Sequence, residues 1–329
     1  MVERIRVGIA GTGRYLPPRV VPNSYFEEFL DTSHEWIVQR TGIEERRFAP
    51  DDEATSHLSA RAAQEALEAA GVKAEELDLI VLGTLTPDYL LPSTACLVQD
   101  QIGATNAGAF DCNSACTGFL TALHTAEAFI ASGRARRVLA IGAEKLSSFV
   151  NFKDRGSCII FGDGAGAAVL TPHDECGQGE ILKTTLGADG KGFEFIHMPA
   201  GGSKLPPSQI DLSDDKHYIG LRGRDVYRFA VKYMTEMIRQ MMEGYPAEEL
   251  SLIVPHQVNL RIIQAALERL ELPEEQVMIN IQKYGNTSAA TVPIALDEAL
   301  RQGRIEKGKL VCLVAFGAGL TWGGTLLRW

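Results

Sequence analysis

Ala74-Glu75-Glu76-Leu77-Asp78-Leu79-Ile80-Val81 returns 173 residues later as Ala247-Glu248-Glu249-Leu250-Ser251-Leu252-Ile253-Val254, with seven of eight residues unchanged. Each copy follows an amphipathic run, Leu58 to Ala70 in one case and Val226 to Met242 in the other. Each ends in a short apolar strand. A second pair lies in the same order. Gly133-Arg134-Ala135-Arg136-Arg137-Val138-Leu139-Ala140-Ile141-Gly142 parallels the stretch from Gly303 to Leu313. One such match is within chance, whereas several in one order read as duplication. The chain therefore divides into two halves, residues 1–174 and 175–329.

The strands Leu79–Leu82, Val138–Ile141, Leu252–Val254 and Val311–Ala315 are short apolar runs alternating with helices. That is the pattern of α/β sheets covered on both faces. The N-terminal stretch through Val7-Gly8-Ile9-Ala10 has no long apolar signal region and reads as a first strand. Phe161-Gly162-Asp163-Gly164-Ala165-Gly166 closes the first half and Phe316-Gly317-Ala318-Gly319-Leu320 lies near the end of the second. The first of these runs precedes a strand, not a helix, so it reads as tight turns and close backbone approach and not as a phosphate loop. Residues 187–208 read as a surface excursion, a plain loop or a lid.

With 329 residues and 45% apolar content the chain is long enough for a large core. No apolar run approaches membrane-spanning length. Lysine plus arginine number 32 against 42 acidic residues, a net charge of −10 that disfavours nucleic acid as partner. The six cysteines fit no disulfide or zinc spacing, which points to a reducing cytoplasm and to no metal.

The chemistry centres on Asp111-Cys112-Asn113-Ser114-Ala115-Cys116-Thr117-Gly118-Phe119. Small polar residues run into an apolar helical pattern and place Cys116 at a helix start. There the dipole and free N–H groups favour thiolate, the nucleophilic form. A lone cysteine is more often a buried structural thiol. Two further residues argue otherwise. His256, in Val254-Pro255-His256-Gln257, stands at a strand end, where open α/β sheets place ligands. Asn286, in Gly285-Asn286-Thr287-Ser288, begins a helix, and by itself it reads first as an ordinary N-cap. Cys116 lies 17 residues before Gly133 and Asn286 lies 17 before Gly303, so counting back makes them equivalent positions of the repeat.

At these residues the chain resembles the β-ketoacyl-acyl-carrier-protein synthase III family, initiating condensing enzymes of type II fatty-acid synthesis in the thiolase superfamily. The markers are Ala115-Cys116-Thr117-Gly118-Phe119, Pro255-His256-Gln257, Gly285-Asn286-Thr287-Ser288 and Phe316-Gly317-Ala318-Gly319-Leu320-Thr321-Trp322-Gly323. Arg40-Thr41-Gly42-Ile43-Glu44-Glu45-Arg46 and Asp154-Arg155-Gly156 also match. A Cys-His-Asn set differs from the Cys-His-His of elongating ketosynthases and from thiolases, which carry a second catalytic cysteine.

The resemblance implies a thiolase-like fold of duplicated βα halves in five αβαβα layers, and a homodimer. It implies acyl-CoA and malonyl-acyl-carrier protein as substrates and no cofactor. Cys116 would attack the acyl-CoA thioester, with the backbone N–H groups of Cys116 and Ala318 as oxyanion hole. His256 Nε2–H and the Asn286 amide would donate to the malonyl thioester oxygen as carbon dioxide leaves. Trp36 would stack on the CoA adenine with Arg155 over its other face, and Arg40 and Thr41 would meet the diphosphate region. Arg261, supported by Arg228 and Arg269, would dock the acidic carrier protein. Leu91, just before Pro92, would limit the depth of the partner subunit's acyl pocket and admit acetyl and short chains. A related Cys-His-Asn acyltransferase of secondary metabolism is the alternative.

Overall fold

The structure, a computed structural model, describes residues 4–329. Five strands form one sheet in the order Val7–Tyr15, Gly164–Pro172, Val138–Glu144, Leu79–Gly83, Gly108–Cys112. Four form the other, in the order Glu180–Ala188, Thr321–Arg328, Leu310–Gly317, Leu250–Pro255. The two orders correspond strand for strand. In each, the outer pairs Val7–Tyr15/Gly164–Pro172 and Glu180–Ala188/Thr321–Arg328 are antiparallel, and Leu79–Gly83 and Leu250–Pro255 run parallel to the central strand beside them. The fifth position of the second sheet is reduced to one bridge, Ile253 to Val277.

Alternation along the strands sets the layers. Val138 and Ala140 face one side of the first sheet, and Leu139 and Ile141 the other. The Leu139 side packs on Leu58, Ala62 and Ala66 of the Thr55–Ala70 helix. The Val138 side packs on Phe119, Leu123 and Ile130 of the Gly118–Ala131 helix and on Val292 and Leu296 of the Thr291–Arg301 helix. Those two helices are in turn covered by Leu252, Val311 and Leu313 of the second sheet. Its far face carries Met234, Ile238 and Met241 of Gly223–Met242 and Ile262 and Ile263 of Leu260–Leu270. Five layers result, with the two central helices buried on both sides.

The starts of the central helices meet across the molecule. A Cβ on Gly142 would stand 2.3 Å from the Ala289 carbonyl oxygen, so only glycine allows this approach. The repeat register at this point differs from the one obtained by counting back from Gly133 and Gly303. Gly118–Ala131 has 14 residues and Thr291–Arg301 has 11, almost one helical turn fewer. The short turns that lead in, Ala115–Thr117 and Ser288–Ala290, are therefore offset by 173 residues, not 170. Cys116 corresponds to Ala289, and Asn286 to Asn113.

Residues 187–208 are more than a surface excursion. Gly190–Phe195 packs on the Ala318–Leu320 turn, where a Cβ on Gly192 would lie 2.2 Å from Leu320 Cδ1. Ile196 then pairs with Leu221 in a two-residue ribbon. Among the described residues no helix is long and apolar enough to cross a membrane, and no cluster of His, Cys, Asp or Glu has the makings of a metal site.

Candidate active site

A cavity of about 370 Å³ opens at the junction of the halves, and Cys116, His256, Asn286, Ser288, Phe316 and Ala318 all line it. Cys116, His256 and Asn286 each reach it from a different element. Cys116 sits in the turn before Gly118–Ala131. His256 follows Leu250–Pro255, its backbone N–H continuing the parallel ladder to the Val314 carbonyl at 2.8 Å. Asn286 follows Gly285 and is tied to the first half, its N–H donating to the Ile160 carbonyl at 2.9 Å while its own carbonyl accepts from Gly162 N–H at 3.1 Å. The rest of the lining is largely apolar, including Leu85, Leu146, Ile196, Ile219 and Val226.

The Asn286 amide has a fixed orientation. Its Oδ1 accepts the Ser288 N–H at 2.8 Å, which leaves the Nδ2 hydrogens for the cavity. His256 is fully buried, and its Nδ1 lies 2.7 Å from Thr291 Oγ1. Its Nε2 has no protein partner. Burial pushes the imidazole down to about 3, so the ring is neutral at physiological pH. Phe316 lies edge-on to it, ring centroids 5.5 Å apart.

Cys116 departs from the expectation of a helix-stabilised thiolate. Enclosure pushes its thiol up to about 12; the neighbouring Ser288 hydroxyl opposes this and the Glu144 carboxyl adds to it. Desolvation of a sulfur anion outweighs the pull of one short helix start. Burial thus favours the thiol form of Cys116 over the thiolate. Cys112, at the end of Gly108–Cys112, is also pushed up to about 12, by burial and then by Asp111. It does not line the cavity.

The strand end at Gly317 brings Ala318 towards Cys116. A Cβ on Gly317 would come within 2.7 Å of the Cys116 nitrogen. The positive φ values of this turn fall on Gly319 (74°) and Leu320 (46°), so Ala318 carries its N–H without left-handed strain.

Beside the cavity, and sharing Gly223, Tyr227 and Asn259 with it, is a recess lined by Arg40, Arg224, Arg228 and Arg261. Sequence reading singled out three of these four. Arg224 was not recognisable, because one arginine on a helix start carries no signal of its neighbours. Arg269 stands apart. It is eight residues further along the Leu260–Leu270 helix than Arg261, about 12 Å at 1.5 Å per residue. Its carbonyl there accepts from Arg239. The Arg40 and Arg155 guanidiniums lie 4.5 and 4.7 Å from the Trp36 ring centroid. Arg155 also donates to the Asp31 carbonyl.

Thr41 does not fit a nucleotide contact. It is buried, its hydroxyl donates to the Ile37 carbonyl at 2.7 Å and accepts the Ile43 N–H at 3.0 Å, and so it closes the His34–Thr41 helix. Leu91 does not line its own chain's cavity. It stands 83% exposed beside Leu90 and Tyr89 on an apolar tip. Ser288, Phe316, Thr291 and Glu144 escaped sequence reading. Glu144 is fully buried and accepts from Thr86 Oγ1 at 2.6 Å and from the Thr86 N–H at 3.1 Å. Burial pushes it up to about 7. Only Ser288 and Phe316 lie inside motifs that could have flagged them.

Two fused βα halves in five layers, with a thiol cavity where they join, define a condensing enzyme of thiolase-like fold. The family profile described as 3-Oxoacyl-[acyl-carrier-protein (ACP)] synthase III matches residues 110–190, and its C-terminal counterpart matches residues 241–329. The chain belongs to the β-ketoacyl-[acyl-carrier-protein] synthase III family. A β-ketoacyl-[acyl-carrier-protein] synthase III of Caldanaerobacter subterraneus subsp. tengcongensis is 50% identical over 331 residues, covering 100% of this chain and 99% of the relative. One from Clostridioides difficile is 50% identical over 98% of each chain. The crystal structure of 3-oxoacyl-[acyl-carrier-protein] synthase III from Aquifex aeolicus superposes with a TM-score of 0.90 at 48% identity, covering 98% of this chain and 100% of that one.

Proposed function

We propose that this chain condenses an acyl-CoA starter with malonyl-acyl-carrier protein, giving β-ketoacyl-carrier protein, CoA and carbon dioxide, with Cys116 as nucleophile. The observation that carries this reading is the convergence of Cys116, His256 and Asn286 on one cavity, with His256 Nε2 unpartnered and the Asn286 Nδ2 hydrogens turned inward. Cys116 attacks the acyl thioester, and its proton departs with the CoA thiol. The tetrahedral oxygen is met by the Cys116 and Ala318 N–H groups. Malonyl thioester then places its carbonyl oxygen between His256 and Asn286. As the C–CO2 bond breaks, its electron pair develops as an enolate on that oxygen. The enolate carbon attacks acyl-Cys116, and the sulfur leaves and is reprotonated.

This division of labour needs hydrogen-bond donors and not a strong base, which suits a neutral imidazole and an amide. The arginine recess at Arg261, Arg228, Arg224 and Arg40 gives a net acidic chain a local site for anionic partners, the CoA phosphates and an acidic carrier protein. Trp36 and Arg155 serve the adenine, which enters between them only if Arg155 moves off the ring. The exposed tip at Tyr89, Leu90 and Leu91 supports a homodimer in which Leu91 reaches the partner's acyl pocket. The site of action is the cytoplasm, and no cofactor or metal takes part. The deciding experiment is mass spectrometry of intact protein exposed to a panel of acyl-CoAs. It should show one acyl group, mapped to Cys116, that is discharged by malonyl-acyl-carrier protein with release of carbon dioxide. Acylation at another residue, or discharge by water alone, overturns the reading.

A further inference from the structure

Thr291 begins the second central helix and is buried beneath His256. Its hydroxyl faces two acceptors, His256 Nδ1 at 2.7 Å and the Ser288 carbonyl at 3.0 Å. One hydroxyl has one hydrogen, so its direction decides which nitrogen of a neutral His256 carries the proton. Hydrogen toward Ser288 makes Oγ1 an acceptor for Nδ1–H and leaves a bare lone pair on Nε2. Hydrogen toward Nδ1 puts the ring proton on Nε2.

Three observations favour the second arrangement. The Ser288 carbonyl already accepts the Thr291 backbone N–H, so it does not need the hydroxyl. The 2.7 Å separation is typical of an O–H donor, whereas N–H donors sit nearer 2.9–3.0 Å. The same range makes 3.0 Å long for O–H to carbonyl oxygen.

We propose that Thr291 is a positioning residue whose hydroxyl fixes His256 as the Nε2–H tautomer, aiming a donor into the cavity; this rests on the role given to His256 above. The depressed basicity of His256 supports it, since a neutral ring donates from Nε2 only in this tautomer. A threonine that packs but does not orient would be replaceable by isosteric valine without consequence for the ring proton.

The test uses full-length protein with 15N-labelled histidine. The His256 signals are identified by their loss in His256→Ala. Nitrogen shifts distinguish protonated from bare ring nitrogens, and wild type should show Nε2 protonated. Thr291→Val should shift the ring toward the other tautomer or a mixture, and Thr291→Ser should restore it. In single turnovers from preformed acyl-enzyme, Thr291→Val should slow carbon dioxide release about tenfold more than it slows acyl transfer, with Thr291→Ser near wild type. Nδ1 protonated in wild type, an unchanged tautomer in Thr291→Val, or equal slowing of both half-reactions overturns the proposal. The nitrogen shifts need no turnover. Failure of the condensing reading shows separately, as wild type that releases no carbon dioxide.

Discussion

Ala115 and Ser288 occupy the same point of the two halves, with φ of 50° and 49°, each opening the short turn that leads into a central helix. Both are non-glycine residues in the left-handed region, where a side chain costs roughly 1–2 kcal/mol. One strained turn, used twice, serves two purposes. In the first half the residue after it is Cys116, the thiol. In the second the residue two before it is Asn286, whose amide is gripped by the Ser288 N–H. Duplication thus places a thiol and a side-chain amide at different positions of one motif.

Cys116→Ser is expected to abolish acylation from acyl-CoA, and Cys112→Ser to retain it. Cys116 lines the cavity, whereas Cys112 sits outside it at a strand end. Intact-mass measurement after brief exposure to acetyl-CoA decides, and loss in Cys112→Ser alone would reassign the nucleophile.

Asn286→Ala should slow decarboxylation by about 100- to 1,000-fold, or about 2.7–4 kcal/mol, the cost of one oxyanion donor. Acyl transfer should suffer far less, because Nδ2 faces charge that develops only in the second half-reaction. The two rates are read separately by rapid quench. Parallel losses would mean that the Ser288 turn had collapsed.

Arg261→Glu should raise the apparent KM for malonyl-acyl-carrier protein, and Arg228→Glu should act in the same direction. Arg269→Glu, at the far end of the helix, should do little. The effect should fade with added salt, since charges at an exposed rim are screened over about 8–10 Å. A KM that ignores all three changes at low salt would move carrier docking elsewhere.

Leu91→Phe should shorten the range of accepted starters if the exposed tip fills a partner's pocket. Each buried methylene is worth only about 1 kcal/mol, so the profile from acetyl- to octanoyl-CoA should tilt and not break. An unchanged profile removes Leu91 from the pocket.

Acid should destabilise the chain through its buried histidines. The fold holds His256 and His124 neutral down to about 3 and about 4, each by burial, while the unfolded chain protonates both below 6.5. Stability from each is present above 6.5 and lost as pH falls toward the folded value, about 1.4 kcal/mol per pH unit. Glu144 works the other way. Burial keeps it protonated in the fold up to about 7 against 4.5 unfolded, so it adds stability as pH falls through that window. Denaturant midpoints at pH 7 and pH 5 should therefore converge in His124→Gln and separate further in Glu144→Gln. The reverse order would show that these groups do not titrate as their burial dictates.

Local signals in the chain were enough to establish the duplication, the α/β class and the motifs around Cys116, His256 and Asn286. An eight-residue repeat, strand alternation and residues at element ends are all properties of nearest neighbours. They predicted Val138–Ile141 and Leu252–Val254 inside strands that prove longer, Val138–Glu144 and Leu250–Pro255. Counting failed where an element changed length. The three extra residues of Gly118–Ala131 shift everything before it, and no local pattern reports which of two helices is shorter.

What only the tertiary structure decided are the environments. Thr41 belongs to a family motif, yet it spends its hydroxyl inside its own helix. Arg224 joins Arg40, Arg228 and Arg261 because three segments distant in sequence close on one recess. Cys116 is a thiol because walls from both halves strip water from its sulfur, an effect larger than the helix start that its sequence displays. Hydration, enclosure and hydrogen-bond direction depend on what lies across the fold: Cys116 sits against Gly317 of the other half, and His256 meets Thr291, 35 residues along the chain on another element.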